Sequence, residues 1–157
     1  MEKSPLLIAI RLRGPSGNSE ETEYTLRLLS LNRANWAAIL PNRPSILGML
    51  HKVSAYVCWG EASVEALKRL LGRAEVWGGK ELEEGIKTLG VRDAAELAEK
   101  LHRGEISLSE FKQVFKPRIR LHPPKGGLKR SIKKPYRDGG ATGYIGREIE
   151  RLVSVMS

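Results

Sequence analysis

Residues 122–146, HPPKGGLKRSIKKPYRDGGATGYIG, restrict most what this chain can fold into. They hold three prolines and six glycines and show no sustained apolar period. Proline removes a backbone donor and fixes φ, while glycine loses more freedom on ordering than any other residue. Such a stretch does not bury enough apolar area to offset ordering its backbone, at about 1–2 kcal/mol per residue. A loop this long is expected to be functional, and mobile until a partner orders it. Helical spacing then returns at Ile149, Leu152, Val153 and Met156. The loop is therefore tethered at both sides. Residues 116–146 read as an extended basic arm, and residues 147–157 as a C-terminal helix that packs back on the fold.

Charge gives the arm its meaning. The chain carries a formal net charge of +9. Residues 111–137 hold ten basic side chains and no acidic one, more than the whole excess. A folded surface normally intersperses both signs, so a one-sign segment in an otherwise balanced chain reads as a polyanion-binding element. Lys116, Arg118, Arg120, Lys125, Lys129, Arg130, Lys133, Lys134 and Arg137 recur at short intervals along it. Each phosphate they neutralise would release a condensed counterion, which drives binding entropically. Tyr136 and Tyr144 are placed to stack on unpaired bases. The prolines and glycines forbid a continuous basic helix for the DNA major groove, so RNA rather than DNA is the expected partner.

The other residues read as a folded body. With 157 residues the chain is long enough to bury roughly 68–70% of its unfolded surface. Residues 6–13 are an apolar run ending in alternation that sets Arg11 and Arg13 on an exposed side. A helix over 19–31, a strand over 36–40, a helix from Pro44 to Val53 and a strand over 55–59 follow. Residues 1–60 are thus expected to form a β-α-β-α-β core. Strict alternation of this kind ordinarily implies a parallel sheet. Residues 61–115 change character: eleven acidic side chains lie between 61 and 110, and helices are expected over 62–72, 80–89, 93–103 and 107–114. This helical insertion, acidic on its surface, could itself face a protein partner. Residues 117–121 alternate and predict one more strand.

Chemistry other than binding finds little support. The single cysteine, Cys58, sits between Val57 and Trp59 and reads as core. It excludes an internal disulfide framework. His51, His102 and His122 lack ligand spacing, so no metal is expected. Lys125–Ser131 lacks the spacing of a phosphate loop, and Gly140, Gly143 and Gly146 do not match the dinucleotide fingerprint. No nucleophile, base and orienting group come together. No catalytic residue and no cofactor are therefore expected. The apolar run Leu6–Ile10 is too short for a membrane span, which favours a soluble, cytosolic protein.

Two pieces of the chain carry a resemblance. Residues 31–61 contain the order R-x-N … P-x-x-P-S-x-x-G-M-L-x-K-V … Y-V-x-W-G-E, and residues 116–153 contain R-L-H-P-P-x-x-G … K-x-P-Y-x-x-G-G. Together they resemble the archaeal form of the large-subunit ribosomal protein L-thirty family, whose eukaryotic counterpart is called L-seven. The resemblance spans nearly the whole chain. It implies an α+β fold of ferredoxin-like aspect: a three-stranded antiparallel sheet of order 3-1-2 with helices on one face, plus insertion and arm. It also implies a structural constituent of the large ribosomal subunit that contacts ribosomal RNA. Arg33, Arg43, Ser45, Gly48 and Lys52 fall in the family's signature around the second helix. Pro44 and Ser45 would set that helix's N-terminus where it could meet phosphate. The expected RNA-binding set is thus Arg11, Arg13, Arg33, Arg43, Ser45 and Lys52 with the arm cations and Tyr136. Neighbouring ribosomal proteins are further expected partners. Membrane, DNA and a second copy of the chain are not. The rival reading is an RNA-processing or RNA-modifying enzyme with a basic substrate clamp.

Overall fold

A computed structural model of the chain describes residues 6–15, 17–128 and 130–157. The first five elements alternate as their periodicities dictate: β1 (Leu6–Arg11), α1 (Glu20–Leu28), β2 (Trp36–Pro41), α2 (Pro44–Lys52) and β3 (Val57–Glu61). Four helices follow, α3 (Val64–Leu71), α4 (Leu82–Thr88), α5 (Ala94–Arg103) and α6 (Leu108–Val114). Their boundaries come from local chemistry. The hydroxyls of Ser63 and Ser107 and the carboxylate of Asp93 accept from first-turn N–H groups, and Gly104 ends α5 in the left-handed region at φ 81°. The chain closes with β4 (Arg118–Arg120), β5 (Ser131–Pro135), β6 (Gly140–Tyr144) and α7 (Glu148–Met156).

Among the described residues the strands form one six-stranded sheet, ordered β4-β2-β1-β3-β6-β5. At its centre, β1 pairs antiparallel with β2 and with β3. Order 3-1-2 and antiparallel pairing therefore hold for the core, and the parallel sheet that alternation suggested does not form. The sheet is larger than the three strands expected: β4 adds antiparallel to β2, and β6 adds parallel to β3 with β5 parallel beyond it.

The two helices of the core lie on one face, as expected, and the later helices cover the other. Leu7 and Ala9 of β1 face a cluster with Leu26 and Leu29 of the α1 side and Leu50 and Val53 of the α2 side. Leu6, Ile8 and Ile10 point the other way, into a larger cluster with α3, α5, α6 and α7. A strand buried on both faces must be apolar throughout, which is why Leu6–Ile10 does not alternate. The same double cover corrects the exposed side expected for Arg11: all six residues of β1 are buried.

Residues 122–146 depart from the reading of a loop without regular structure. β6 is buried over Gly140–Gly143 and sits inside the sheet. Its small side chains give no periodic signal, yet they permit close packing. A methyl group on Gly140 would collide with the backbone of Lys134 on β5. α7 then lays Ile149, Leu152, Val153 and Met156 into the larger cluster.

Candidate nucleic-acid interface

The expected RNA-binding side chains divide into those the fold has already used and those it leaves outside. Arg11 belongs to the first kind and corrects the expectation. Its side chain is fully buried. Its Nε donates to the Arg13 carbonyl at 2.7 Å and its Nη1 to the Leu31 carbonyl at 2.9 Å. Nη1 and Nη2 also grip the Glu23 carboxylate at 3.2 and 2.7 Å. The Arg11 guanidinium holds the Glu23 carboxyl below its ordinary value, with Asn18 Nδ2 adding a bond at 2.7 Å. A buried, fully bonded arginine of this kind ties β1 to α1 and is not free to meet phosphate.

The arm is partly consumed as well. Arg118 and Arg120 share one carboxylate, Glu75, which precedes the short 3-10 turn at Trp77–Gly79. The Arg118 guanidinium also lies 5.0 Å from the centre of the Trp36 ring. Lys116 sits 5.9 Å from the centre of the Trp77 ring. Arg130 donates to the carbonyls of Gly140 and Tyr136 at 2.7 and 3.1 Å and stacks 4.2 Å from the Tyr136 ring centre. It pins the turn between β5 and β6. Arg13 is half-buried, with its guanidinium 5.2 Å from the Tyr56 ring centre. Lys129 lies outside the described residues.

What remains outward forms two groups. The first follows α2. Arg43, Ser45, Gly48 and Lys52 are all exposed, and Ser45, Gly48 and Lys52 recur at three- and four-residue spacing on one side. Arg33, in the turn leading to β2, is exposed too. Lys52 reaches Glu21 at 2.5 Å in a solvated pair. The second group is on the arm: Lys125, Lys133, Lys134 and Arg137 are exposed. Among the described residues, Arg33, Arg43 and these four arm cations pair with no carboxylate.

Gly48 is the most telling of these positions. Glycine in a helix interior costs about 0.5–1 kcal/mol against alanine. Yet nothing lies within 4 Å of where its Cβ would be. No packing among the described residues calls for glycine there, whereas close approach of an outside backbone would.

Sequence reasoning missed the acidic side of the interface. Glu75 lies 43 residues from Arg118, and Glu61 lies 83 from Tyr144, whose hydroxyl donates to it. No spacing rule connects such pairs. Cys58 is buried, and burial pushes its thiol up to about 12, so it is inert. Among the described residues no group of histidine, cysteine or carboxylates is placed to hold a metal ion, and no helix is long and apolar enough to cross a membrane.

Comparison with known proteins adds the assembly. A sequence model of the family "Ribosomal protein L30p/L7e" matches residues 7–57, which run from β1 to the start of β3. Over nearly the full length the chain is similar to proteins named large ribosomal subunit protein uL30. It is 39% identical to that of Sulfolobus acidocaldarius, over 96% of this chain and 97% of the relative. It is 44% identical to that of Ignicoccus hospitalis, over 94% and 95%. It is 41% identical to that of Methanopyrus kandleri, over 92% and 99%.

Proposed function

The chain belongs to the uL30 family of large ribosomal subunit proteins, and on that premise we propose that it holds ribosomal RNA through the outward side of α2 and the outward cations of the arm. It is a structural constituent of the large ribosomal subunit, of the archaeal form, and not an enzyme; its location is the cytoplasmic ribosome. Large-subunit ribosomal RNA and neighbouring ribosomal proteins are its partners. In this division of labour, residues 1–60 supply a rigid docking body and residues 61–115 cover its second face. Residues 116–146 supply the strap of charge, and residues 147–157 anchor the strap's far end.

The observation that carries the reading is the set of exposed cations that pair with no carboxylate among the described residues: Arg33, Arg43, Lys125, Lys133, Lys134 and Arg137. Such charges repel one another without a polyanion. Gly48 supports it, because the gap beside that helix turn suits a phosphodiester backbone lying against α2. Phosphate contacts of this kind fix position and do not read sequence.

Binding of the full-length protein to archaeal large-subunit ribosomal RNA, titrated over salt, tests the proposal. With about six phosphates engaged, log K falls against log salt with a slope of roughly −4 to −5. Gly48→Ala raises stability by about 0.5–1 kcal/mol and weakens RNA binding. A flat salt dependence, or a Gly48→Ala protein that binds as tightly as the wild type, overturns the docking face.

A further inference from the structure

The step where α2 ends and the sheet continues forms a groove that phosphate contacts alone do not explain. α1 and α2 cover one face of the central strands, but β6 and β5 extend past α2 and are not covered by it or by α1. His51 and Ser54 make one wall at the end of α2. Thr142, Gly143 and Tyr144 of β6 form the floor beside Trp59, and Pro135, Tyr136 and Arg137 form the far wall. Gly143 adopts φ 84° and carries no side chain, so the floor there is formed by backbone.

Three features point to the occupant. The first is an aromatic ring held in place yet exposed. Tyr144 is 52% exposed although it lies in the sheet. Its hydroxyl donates to both oxygens of Glu61, at 2.7 and 2.8 Å, and that bond pushes the Tyr144 phenol above its ordinary value. Its ring leans on Trp59 at 6.5 Å between centres. A ring fixed at both ends loses little freedom when something stacks on it. The second is the layered support beneath: His51 meets Trp59 edge to face at 5.2 Å. The third is polarity. Arg137, exposed and unpaired with any carboxylate among the described residues, stands on the opposite wall.

Resting on the RNA-binding reading above, we propose that this groove receives one unpaired nucleobase of the RNA, stacked on Tyr144 with its phosphate on the Arg137 side. An acidic protein segment would satisfy Arg137 but has no use for a rigid, exposed ring. An unpaired nucleotide uses both.

The test is ultraviolet crosslinking of the full-length protein bound to archaeal large-subunit ribosomal RNA, with mass spectrometry of the crosslinked peptides. Affinities of Tyr144→Ala, Tyr144→Phe and Arg137→Ala for the same RNA accompany it. A nucleotide adduct is expected on the peptide that holds Tyr144 or His51. Tyr144→Ala should bind about fivefold to a hundredfold more weakly, the range of one lost base stack. Tyr144→Phe keeps the ring but loses its tie to Glu61, and should bind between the wild type and Tyr144→Ala. Arg137→Ala, an exposed change that leaves the fold alone, should weaken binding while the adduct persists. The groove proposal is overturned if adducts lie only on other peptides, or if Tyr144→Ala binds as the wild type does. Salt-dependent binding by the wild type then leaves the RNA reading standing. Loss of that salt dependence takes both readings down together.

Discussion

The centre of the sheet and its far end treat the same residue type in opposite ways. In β1, Arg11 is enclosed, bonded at every nitrogen and neutralised by Glu23. At the β6–β5 end, Lys133, Lys134 and Arg137 stand in solvent, and among the described residues none of them forms an ion pair. The fold spends charge where helices cover both faces and displays it where the sheet runs past α1 and α2. Arg118, Arg120 and Arg130 fall between these extremes, held by Glu75 or by backbone carbonyls at the surface. The ten cations counted between 111 and 137 therefore overstate what an RNA would meet.

The contrast is broken most forcefully at Arg11. Arg11→Ala should cost about 3–5 kcal/mol in denaturant unfolding, because it opens a buried ion pair and empties its site. A loss under 1 kcal/mol would mean that the pair is idle. The same pair predicts an acid limb. Glu23 titrates below its ordinary value in the folded protein, so its contribution is complete above the unfolded-state value. It is lost as the pH falls through the lower folded-state value. Arg11→Met should flatten that limb in a stability–pH profile.

Two glycines sharpen the contrast at intermediate size. A methyl group at Gly60 of β3 would strike the Gly146 carbonyl and come within 2.9 Å of Ile149 Cγ2. Gly60→Ala should cost about 1–3 kcal/mol of global stability. Gly140→Ala strikes the backbone and Cβ of Lys134 at the sheet's end. It should speed amide exchange across Ala141–Tyr144 and move the global midpoint by less. Equal midpoint shifts would mean that the two regions unfold as one unit.

The smallest effect on stability is expected from the displayed charges. Lys133→Ala with Lys134→Ala should stay within about 0.5 kcal/mol of the wild type, as exposed substitutions usually do. The same pair should make the salt slope of RNA binding shallower by roughly 1.5. An unchanged slope would remove both lysines from the interface.

Much of the core was legible because its signals are local. Amphipathic spacing in α1 and α2, the Asp93 cap, the Gly104 stop and the alternation of β4 all lie within one element. The order of the three central strands came from the resemblance, since alternation alone pointed to a parallel sheet. Three features escaped, two because they depend on partners distant in sequence and one because it shows no period. Arg11 looked exposed because the partners that bury it on its own face, Glu23 of α1 and the Leu31 carbonyl, come twelve and twenty residues later. Glu75 neutralises arginines that no acid neighbours in sequence. β6 hides because Gly-Ala-Thr-Gly packs by smallness and shows no period. The candidate interface was visible as a charge excess, and folding decided which of those charges survive to face a partner.

The double cover of β1 also bears on synthesis. A nascent polypeptide that has emerged as far as Glu61 can pair β3, β1 and β2 and seal one face with α1 and α2. Leu6, Ile8, Ile10 and Ile39 on the reverse stay wet until α3, α5 and α7 emerge. Between those moments the growing chain bares a hydrophobic sheet, the condition in which unfinished proteins aggregate. Of the helices described, α7 emerges after the others that cover this face, and its arrival makes the product safe to deliver.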